Sequence, residues 1–387
     1  FPESRIAGLE GVMGLYDGLG GVSERSRAWE VADLTDTPVI LLVDMMGRSL
    51  SALASIKGFL DYKEKSHVTG VVFNRLSPML YPRLKERAER ELGIRVFGYV
   101  PELKDMTLES RHLGLVMPEE IPGIRERLDL IKEKVRVGIN LDGIIEEAGR
   151  AAEIEVKLPE AVRQFCNVDC GTGIKKTVVA VAKDEAFCFY YEDNLDILRK
   201  LGAEIQYFSP IHDRNLPVET CAVYLGGGYP ETYRKELAEN LSMKESTCEA
   251  AKAGKPIIAE CGGFMYVCNH LVETDDSSMD MLGLIDTDVH MTKRLSMQFG
   301  YVTLNALCDT AFFKKNTNIR AHEFHYSKAD KRGDSCEIKK YSGKCWNGLY
   351  VKENIMAGYP HFYFHNCREV AERFVDMAEK ISKNLSM

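Results

Sequence analysis

Apolar runs alternate with charged, helical stretches along the first half of the chain, and this alternation restricts the fold more than any other feature. The runs TPVILLVDMMG, VTGVVFNRL and IRVFGYVP have the pattern of buried strands, and SLSALASIKGFLDY and RLKERAERELG between them have that of amphipathic helices. Buried strands joined by helices predict a doubly wound, parallel α/β sheet. Ligands of such sheets bind beyond the carboxyl ends of the strands, where Asp44, Asn74 and Pro101 lie.

A second α/β series follows a charged, helical region that extends from Glu119 to Leu158. Its apolar runs are TVVAVAKDEAFCFYY, CAVYLGGGYPE, KPIIAECGG and IMAGYPHFYFHN. Between the two series, KLPEAVRQFCNVDCGTGIKKT has no clear period. We therefore predict a first domain at residues 1–160, a linker at 161–177 and a second domain at 178–387.

The composition excludes several classes of protein. The chain has 387 residues, 45% of them hydrophobic, which is enough for two cores, and a formal net charge of -8, which disfavours a broad nucleic-acid interface. It has no apolar run of about 18 residues and no signal-peptide pattern, so we expect a cytoplasmic protein without a membrane partner. The 11 cysteines do not resemble a disulfide framework, and Cys166 and Cys170 have no second pair at zinc-ligand spacing.

Cys261 is the candidate nucleophile, because PIIAECGGFMYVCNHL has the pattern of a strand that turns sharply into a helix. The helix N-terminus near Gly262 and a neighbouring imidazole are expected to lower the pKa of its thiol. A cysteine after a strand is more often a buried core residue, so the pattern needs support from other segments. VYLGGGYPE places Gly227 and Gly228 at a strand end, where backbone amides can form an oxyanion hole with Gly262.

These segments, together with AGYPHFYFHN, resemble the class I glutamine amidotransferase domain of the cobyrinic and cobyric acid synthases. DEAFCFYYEDNLDIL, MTKRL and HEFHYS extend the resemblance through the second half. It implies that Cys261 attacks the carboxamide of glutamine to give a thioester and that His361 raises its nucleophilicity. Where this branch carries a second histidine, two residues after His361, this chain has Tyr363, which leaves the orientation of His361 open.

The segment AHEFHYS holds His322, Glu323 and His325, but it lacks the H-E-x-x-H spacing of a zinc site. We interpret it as a structural signature. The pattern of His290 and His112 likewise suggests local hydrogen bonding.

LEGVMGLYDGLGG places Glu10 and Asp17 among glycines, which can hold Mg²⁺ or form a solvated turn. EGVMGLYDG, VVFNR, FGYVP and RHLGL resemble the synthetase domain of the cobyrinic acid a,c-diamide synthase family, whose fold resembles dethiobiotin synthetase. The resemblance implies that Glu10 lies near Mg²⁺ and the nucleotide phosphates, Asp17 near the reacting carboxylate, and Asn74 near adenine. Arg48, Arg75 and Arg111 are candidates for carboxylate contact or for solvated surface.

The family opens with a phosphate-binding loop, and no Walker A sequence precedes Glu10. GTGIKKT at Gly171 to Thr177 has suitable residues but precedes a strand instead of opening a helix. We therefore expect an N-terminally incomplete form of the enzyme, or a variant that has lost its nucleotide site.

The resemblance predicts a carbon–nitrogen ligase of cobalamin biosynthesis. Its substrates would be cobyrinic acid, glutamine and ATP, with Mg²⁺ as cofactor, and ammonia from glutamine would displace phosphate from an acyl phosphate. Nickel-sirohydrochlorin a,c-diamide synthesis is an alternative, as is a non-catalytic tetrapyrrole-binding or ammonia-supplying chain. A homodimer stays open.

Overall fold

The computed structural model describes residues 6–11, 14–19, 23, 25–103, 106, 110–111, 114–115, 118–154, 177–294 and 298–384. It divides into two compact units, Phe1–Lys157 and Leu158–Met387. Several residues considered above lie outside the described part, namely His112, Cys166, Cys170, the side chain of Arg111 and residues 171–176 of the GTGIKKT segment.

The first unit contains a parallel sheet of three strands in the order β1-β2-β3. Its elements are α1 (Ala28–Thr35), β1 (Val39–Asp44), α2 (Leu50–Asp61), β2 (Val68–Asn74), α3 (Tyr81–Leu92), β3 (Arg95–Val100), the hairpin strands β4 (Ser110–Arg111) and β5 (Gly114–Leu115), a 3-10 turn (Pro118–Glu120), α4 (Ile124–Gly138) and α5 (Leu141–Ala148).

The carboxyl ends of the three strands meet at one edge of this sheet. Asp44 pairs with Asn74, and Asn74 pairs with Val100. The core beneath them includes Ile56, Phe73 and Val96, which are at most 3% exposed. Polar residues that end the strands are therefore presented at a single edge, as the alternation in the sequence predicts.

The second unit is built on a six-stranded sheet in the order β20-β21-β11-β9-β6-β8, parallel except for β20 at its edge. The elements of this unit as far as the nucleophile segment are β6 (Thr177–Ala182), β7 (Phe187–Phe189), α6 (Glu192–Lys200), β8 (Ala203–Phe208), β9 (Thr220–Leu225), β10 (Gly227–Gly228), α7 (Arg234–Glu239), α8 (Leu241–Lys252), β11 (Ile257–Glu260) and α9 (Gly262–Val267).

Two further sheets come mainly from the later part of the chain. One has the order β13-β12-β14-β17 and the other, which is antiparallel, β19-β18-β15-β16-β22, while β10 pairs with β7. The remaining elements are β12 (Cys268–Val272), β13 (Ser278–Asp280), β14 (Ile285–Met291), β15 (Gly300–Ala306), β16 (Asn318–Glu323), β17 (Ser327–Ala329), β18 (Cys336–Lys340), β19 (Cys345–Gly348), β20 (Tyr350–Lys352), β21 (Ile355–Gly358), β22 (His361–Phe362), a 3-10 turn (Phe364–Asn366) and α10 (Arg368–Asn384).

The prediction of α/β architecture with parallel sheets is confirmed. Strand β6 shows the physical reason, because all six of its residues are buried. Val179 and Val181 belong to one apolar cluster, and Ala180 and Ala182 belong to another. A strand covered on both faces must be apolar throughout. In the described part of the chain, no helix combines the length and the apolar character that crossing a membrane requires.

Candidate active site

Cys261 occupies the turn between β11 and α9. Its φ of 48° and ψ of -100° lie outside the regions that non-glycine residues usually adopt. Its backbone N–H donates to the Gly358 carbonyl at 2.8 Å, and Gly263 N–H donates to the Gly226 carbonyl at 2.8 Å. The turn is therefore held in its strained form by the two segments on either side of it, as a nucleophile elbow requires.

Parallel pairing explains why segments far apart in sequence meet at this turn. Strand β11 lies between β9 and β21, with Ala259 opposite Leu225 and Glu260 opposite Gly358. The glycine segment follows β9 and the histidine segment follows β21. All three strands thus deliver their next residues to the same edge of the sheet.

The predicted glycines lie against one another and against His361. A side chain at Gly262 would place its Cβ 3.0 Å from the backbone nitrogen of Gly228, and one at Gly227 would collide with the His361 ring. Gly228 has a φ of +158°, and a Cβ there would collide with the Ala186 carbonyl. Only glycine permits these approaches, so backbone amides can come close to a reacting carbonyl group.

His361 is 12% exposed, and its Nδ1 lies 3.8 Å from Oε2 of Glu260. It pairs with His322 across β22 and β16. Burial and, to a smaller extent, the neighbouring His322 and His325 lower the pKa of His361 to about 4. The imidazole is therefore neutral near pH 7, as a general base must be.

Glu260 is a functional candidate that the sequence analysis missed. Its side chain is 2% exposed, and its Oε1 accepts hydrogen bonds from Tyr224 Oη at 3.1 Å and from Phe362 N–H at 3.3 Å. Burial raises its pKa to about 8. The signal for it was an acid at the end of the otherwise apolar strand PIIAE, since a buried carboxyl is costly without a role.

The expected low pKa of the Cys261 thiol is wrong. Burial raises the pKa of this thiol, and the carboxyl groups of Glu231, Glu323 and Glu260 raise it further. The hydrogen bond from the Gly262 backbone acts in the opposite direction but is a smaller contribution. The thiol therefore needs a base to take its proton before it can react.

Tyr363 does not take over the orienting role of the family's second histidine. Its hydroxyl donates a hydrogen bond to Asp193 Oδ2 at 2.8 Å, and its ring packs against Tyr191 with centroids 5.5 Å apart. The side chain is held toward α6, where Asp193 lies.

The segment AHEFHYS forms a wall of the site. Cys261 Sγ lies 3.7 Å from the Phe324 carbonyl, and Glu323 and His325 are 2% and 1% exposed. The His325 ring stacks on Tyr359, with centroids 3.6 Å apart. We interpret this segment as a structural signature, and the structure adds that its Phe324 carbonyl contacts the candidate nucleophile. Among the described residues there is no group of three or more potential metal ligands.

In the first unit, an open cavity of about 610 Å³ lies at the carboxyl edge of the sheet, and its lining includes Met45, Arg48, Arg75, Ser77 and Pro101. Asn74 is next to it, because its carbonyl accepts from Met45 N–H at 2.9 Å and its side chain accepts from Arg75 N–H at 3.1 Å. The guanidinium of Arg75 pairs with Asp44, Nε to Oδ1 being 2.7 Å.

Neither Glu10 nor Asp17 is among the described residues that line this cavity. Glu10 is exposed, and Tyr16, beside Asp17, donates a hydrogen bond to the Phe59 carbonyl at 2.7 Å. Phe59 is near the C-terminal end of α2. Asn74 contacts Met45, which precedes the N-terminal end of α2 by five residues. A helix of that length spans about 18 Å. The structure therefore separates Asp17 from Asn74.

Comparisons with known proteins find a family model for the second unit and relatives along most of the chain. Residues 178–369 match the family model of the CobB/CobQ-like glutamine amidotransferase domain. A cobyrinate a,c-diamide synthase of Caldanaerobacter subterraneus subsp. tengcongensis is 35% identical over 379 residues, covering 97% of this chain and 81% of the relative.

A cobyrinate a,c-diamide synthase of Listeria monocytogenes is 38% identical over 371 residues, covering 93% of this chain and 78% of the relative. Among solved structures, a glutamine amidotransferase from Thermotoga maritima is 18% identical with a TM-score of 0.34, covering 54% of this chain and 86% of that one.

Proposed function

The chain belongs to the cobyrinate a,c-diamide synthase family, a class of glutamine-dependent amidating ligases, and from this premise we propose that it converts cobyrinic acid to its a,c-diamide with ATP. The observation that carries the proposal is the strained Cys261 turn, which lies against Gly227, Gly228 and His361. In this proposal, residues 178–387 release ammonia from glutamine, residues 1–160 activate the acid, and 161–177 link them in a cytoplasmic enzyme.

The glutaminase step follows from the geometry of the second unit. Cys261 Sγ attacks the carboxamide carbon of glutamine while His361 takes the thiol proton. The backbone amides around Gly227, Gly228 and Gly262 stabilise the oxyanion that forms. Collapse breaks the carbon–nitrogen bond, and His361 returns the proton to the leaving ammonia. Water then hydrolyses the thioester to glutamate and restores the thiol.

In the proposed synthetase step, a substrate carboxylate attacks the γ-phosphorus of ATP and gives an acyl phosphate and ADP. Ammonia then displaces phosphate and forms the amide. The cavity beside Asn74 supports this step, because its volume suits a small-molecule ligand and the cationic Arg48 is part of its lining.

The proposed Mg²⁺ site at Glu10 is less well supported by the structure. A bound Mg²⁺ would neutralise phosphate charge. Magnesium sites in such enzymes combine one or two carboxylates with phosphate oxygens, so Glu10 and Asp17 should lie close to the nucleotide. Asp17 lies toward the other end of α2 from Asn74, and we assign no step of the reaction to the ion. The roles of Glu10 and Asp17 stay predictions.

The test is to incubate the chain with cobyrinic acid, Mg-ATP and glutamine, and to follow glutamate release and product mass together. Parallel reactions contain nickel-sirohydrochlorin as the acceptor, or ammonium chloride in place of glutamine. A cobyrinic acid diamide that forms with both nitrogen sources supports the proposal. Glutamate release without any amidation would contradict the synthetase half, and amidation of nickel-sirohydrochlorin alone would contradict the choice of macrocycle.

A further inference from the structure

The carboxyl group that faces His361 belongs to the residue directly before the candidate nucleophile. Glu260 Oε2 lies 3.8 Å from His361 Nδ1, and the two side chains are 2% and 12% exposed. Tyr363, which occupies the position of the family's second histidine, bonds to Asp193. We propose that Glu260 is the positioning residue that orients His361 and stabilises its imidazolium form, an inference that rests on the proposed function.

Hydrogen bonds hold both the Glu260 carboxyl and the backbone that follows His361. Tyr224 Oη and Phe362 N–H donate to Oε1 of Glu260, while Oε2 is the oxygen nearest to the imidazole. The Phe362 carbonyl accepts from Asn194 Nδ2 at 2.7 Å, and Phe364 N–H donates to Asn194 Oδ1 at 2.8 Å. The backbone that follows His361 is thus held by Asn194 and by Glu260 itself, which keeps the histidine segment next to the carboxyl.

The gap of 3.8 Å is longer than a hydrogen bond, and catalytic hydrogen bonds often tighten only when substrate binds. An ionised Glu260 accepts a hydrogen bond from Nδ1–H and leaves Nε2 to take the proton of Cys261. The buried carboxyl binds a proton near pH 7, whereas the imidazole and the thiol are uncharged. The reactive form therefore has one proton fewer than the resting form, and Glu260 is the group that loses it.

Other ionisable groups face these three side chains. They include Glu231, Glu323 and Tyr359 near Cys261, His322 and His325 near His361, and Tyr190, Tyr191, Tyr224 and Cys367 near Glu260. Burial raises the pKa values of Cys367 and the four tyrosines and lowers that of His322. These six groups therefore stay uncharged between about pH 7 and pH 9, and a titration of activity in that range is not theirs.

The test compares the pH dependence of glutamate release in the full chain, its Glu260→Gln and Glu260→Asp variants and a Tyr363→Phe control. In the parent protein kcat/KM is expected to rise with pH through a value near 8, the pKa of Glu260. Glu260→Gln should lower kcat/KM by about 10- to 100-fold at high pH and remove the rise, as removal of an orienting partner does elsewhere. Glu260→Asp should recover part of the high-pH kcat/KM and part of its rise with pH. Tyr363→Phe should retain the kcat/KM and the pH profile of the parent.

Two results would overturn the proposal. One is a Glu260→Gln protein with activity and a pH profile like the parent's. The other is a loss of activity that is equal at all pH values and is not relieved in Glu260→Asp, since that is what a purely structural role produces. The readout needs no macrocycle, so an error in the proposed substrate leaves it intact.

A second measurement covers a variant that fails to fold or a chain that releases no glutamate. Nitrogen NMR of histidine-labelled Cys261→Ala protein, with His361 assigned by its loss in His361→Asn, reports the tautomer of the ring at about pH 9. The proposal requires a proton on Nδ1. A proton on Nε2 would contradict it, whatever the fate of the proposed function.

Discussion

The two candidate sites of this protein differ in what holds their polar groups together. In the second unit, Cys261, Glu260 and His361 come from two neighbouring parallel strands and the residues that directly follow them. In the first unit, Asn74 ends a strand, but Asp17 lies next to Tyr16, whose hydroxyl bonds to Phe59 at the other end of α2.

This difference shows how much preorganisation depends on position in a sheet. Side chains that follow parallel strands share an edge without further adjustment, because the strands run in the same direction. Burial then disfavours the charged form of each group, which raises the pKa of Glu260 and lowers that of His361. Glu10, by contrast, is exposed. The second unit therefore permits sharper expectations than the first.

Cys261→Ala is expected to have the largest effect and to separate the two units. Glutamate release should fall by roughly 10⁴-fold or more, because the nucleophile is lost. Amidation with ammonium chloride should stay within about 3-fold, since that reaction bypasses the thioester. Cys268→Ala is a matched control, because Cys268 is completely buried a few residues later and its Sγ lies 3.0 Å from the Phe264 carbonyl, away from the reacting groups in this proposal. Equal losses in both variants would refute a nucleophilic role.

Gly227→Ala should lower kcat for glutamate release by about 10²-fold, because the new Cβ collides with the His361 ring beside the oxyanion amides. Gly58→Ala is the control, since the space around Gly58 on α2 is open and alanine favours a helix there. Steady-state kinetics of both proteins test this. Unchanged kcat in Gly227→Ala would mean that the approach of Gly227 to His361 has no catalytic use.

The pH dependence of the free energy of unfolding should reveal the opposite pKa shifts of Glu260 and His361. Glu260 protonates at about 8 when folded and near 4.5 when unfolded, so it loses its stabilising contribution as pH rises to 8. His361 protonates at about 4 when folded and near 6.5 when unfolded, so its contribution is lost as pH falls. Between pH 4.5 and 6.5 the two oppose each other.

Above pH 6.5 only Glu260, of these two residues, still changes its contribution to stability. The free energy of unfolding of the parent should therefore fall by up to about 2 kcal/mol between pH 6.5 and pH 8 relative to that of Glu260→Gln. Urea unfolding in a Trp29→Phe background, where Trp346 reports on the second unit, measures this difference at both pH values. A constant difference would show that Glu260 ionises normally.

Asn74→Ala should have the smallest effect and concerns the first unit alone. Losing one hydrogen bond near the cavity should raise KM for ATP by about 5-fold in ammonia-dependent amidation. Glutamate release in the second unit should stay the same. The control is Asp61→Asn, at the exposed end of α2. If KM for ATP is unchanged in Asn74→Ala, the nucleotide does not bind at this edge of the sheet.

The sequence sufficed for much of the fold, because buried strands such as β6 are apolar on both faces and leave a pattern that depends on nothing else in the chain. It also singled out Cys261, Gly227, Gly228 and His361, whose residue types and local turns are written in short segments. The folded chain brings Gly227 against His361 and Gly262 against Gly228.

Three features needed the tertiary structure. The raised pKa of the Cys261 thiol comes from burial and surrounding carboxyl groups. Glu260 became a candidate only when its carboxyl was seen beside a histidine 101 positions later in the chain. The separation of Asp17 from Asn74 depends on how a loop packs on α2. Local pattern determines which residues form an element, whereas electrostatic environment and mutual distance depend on contacts between residues remote in sequence, which only the folded chain brings together.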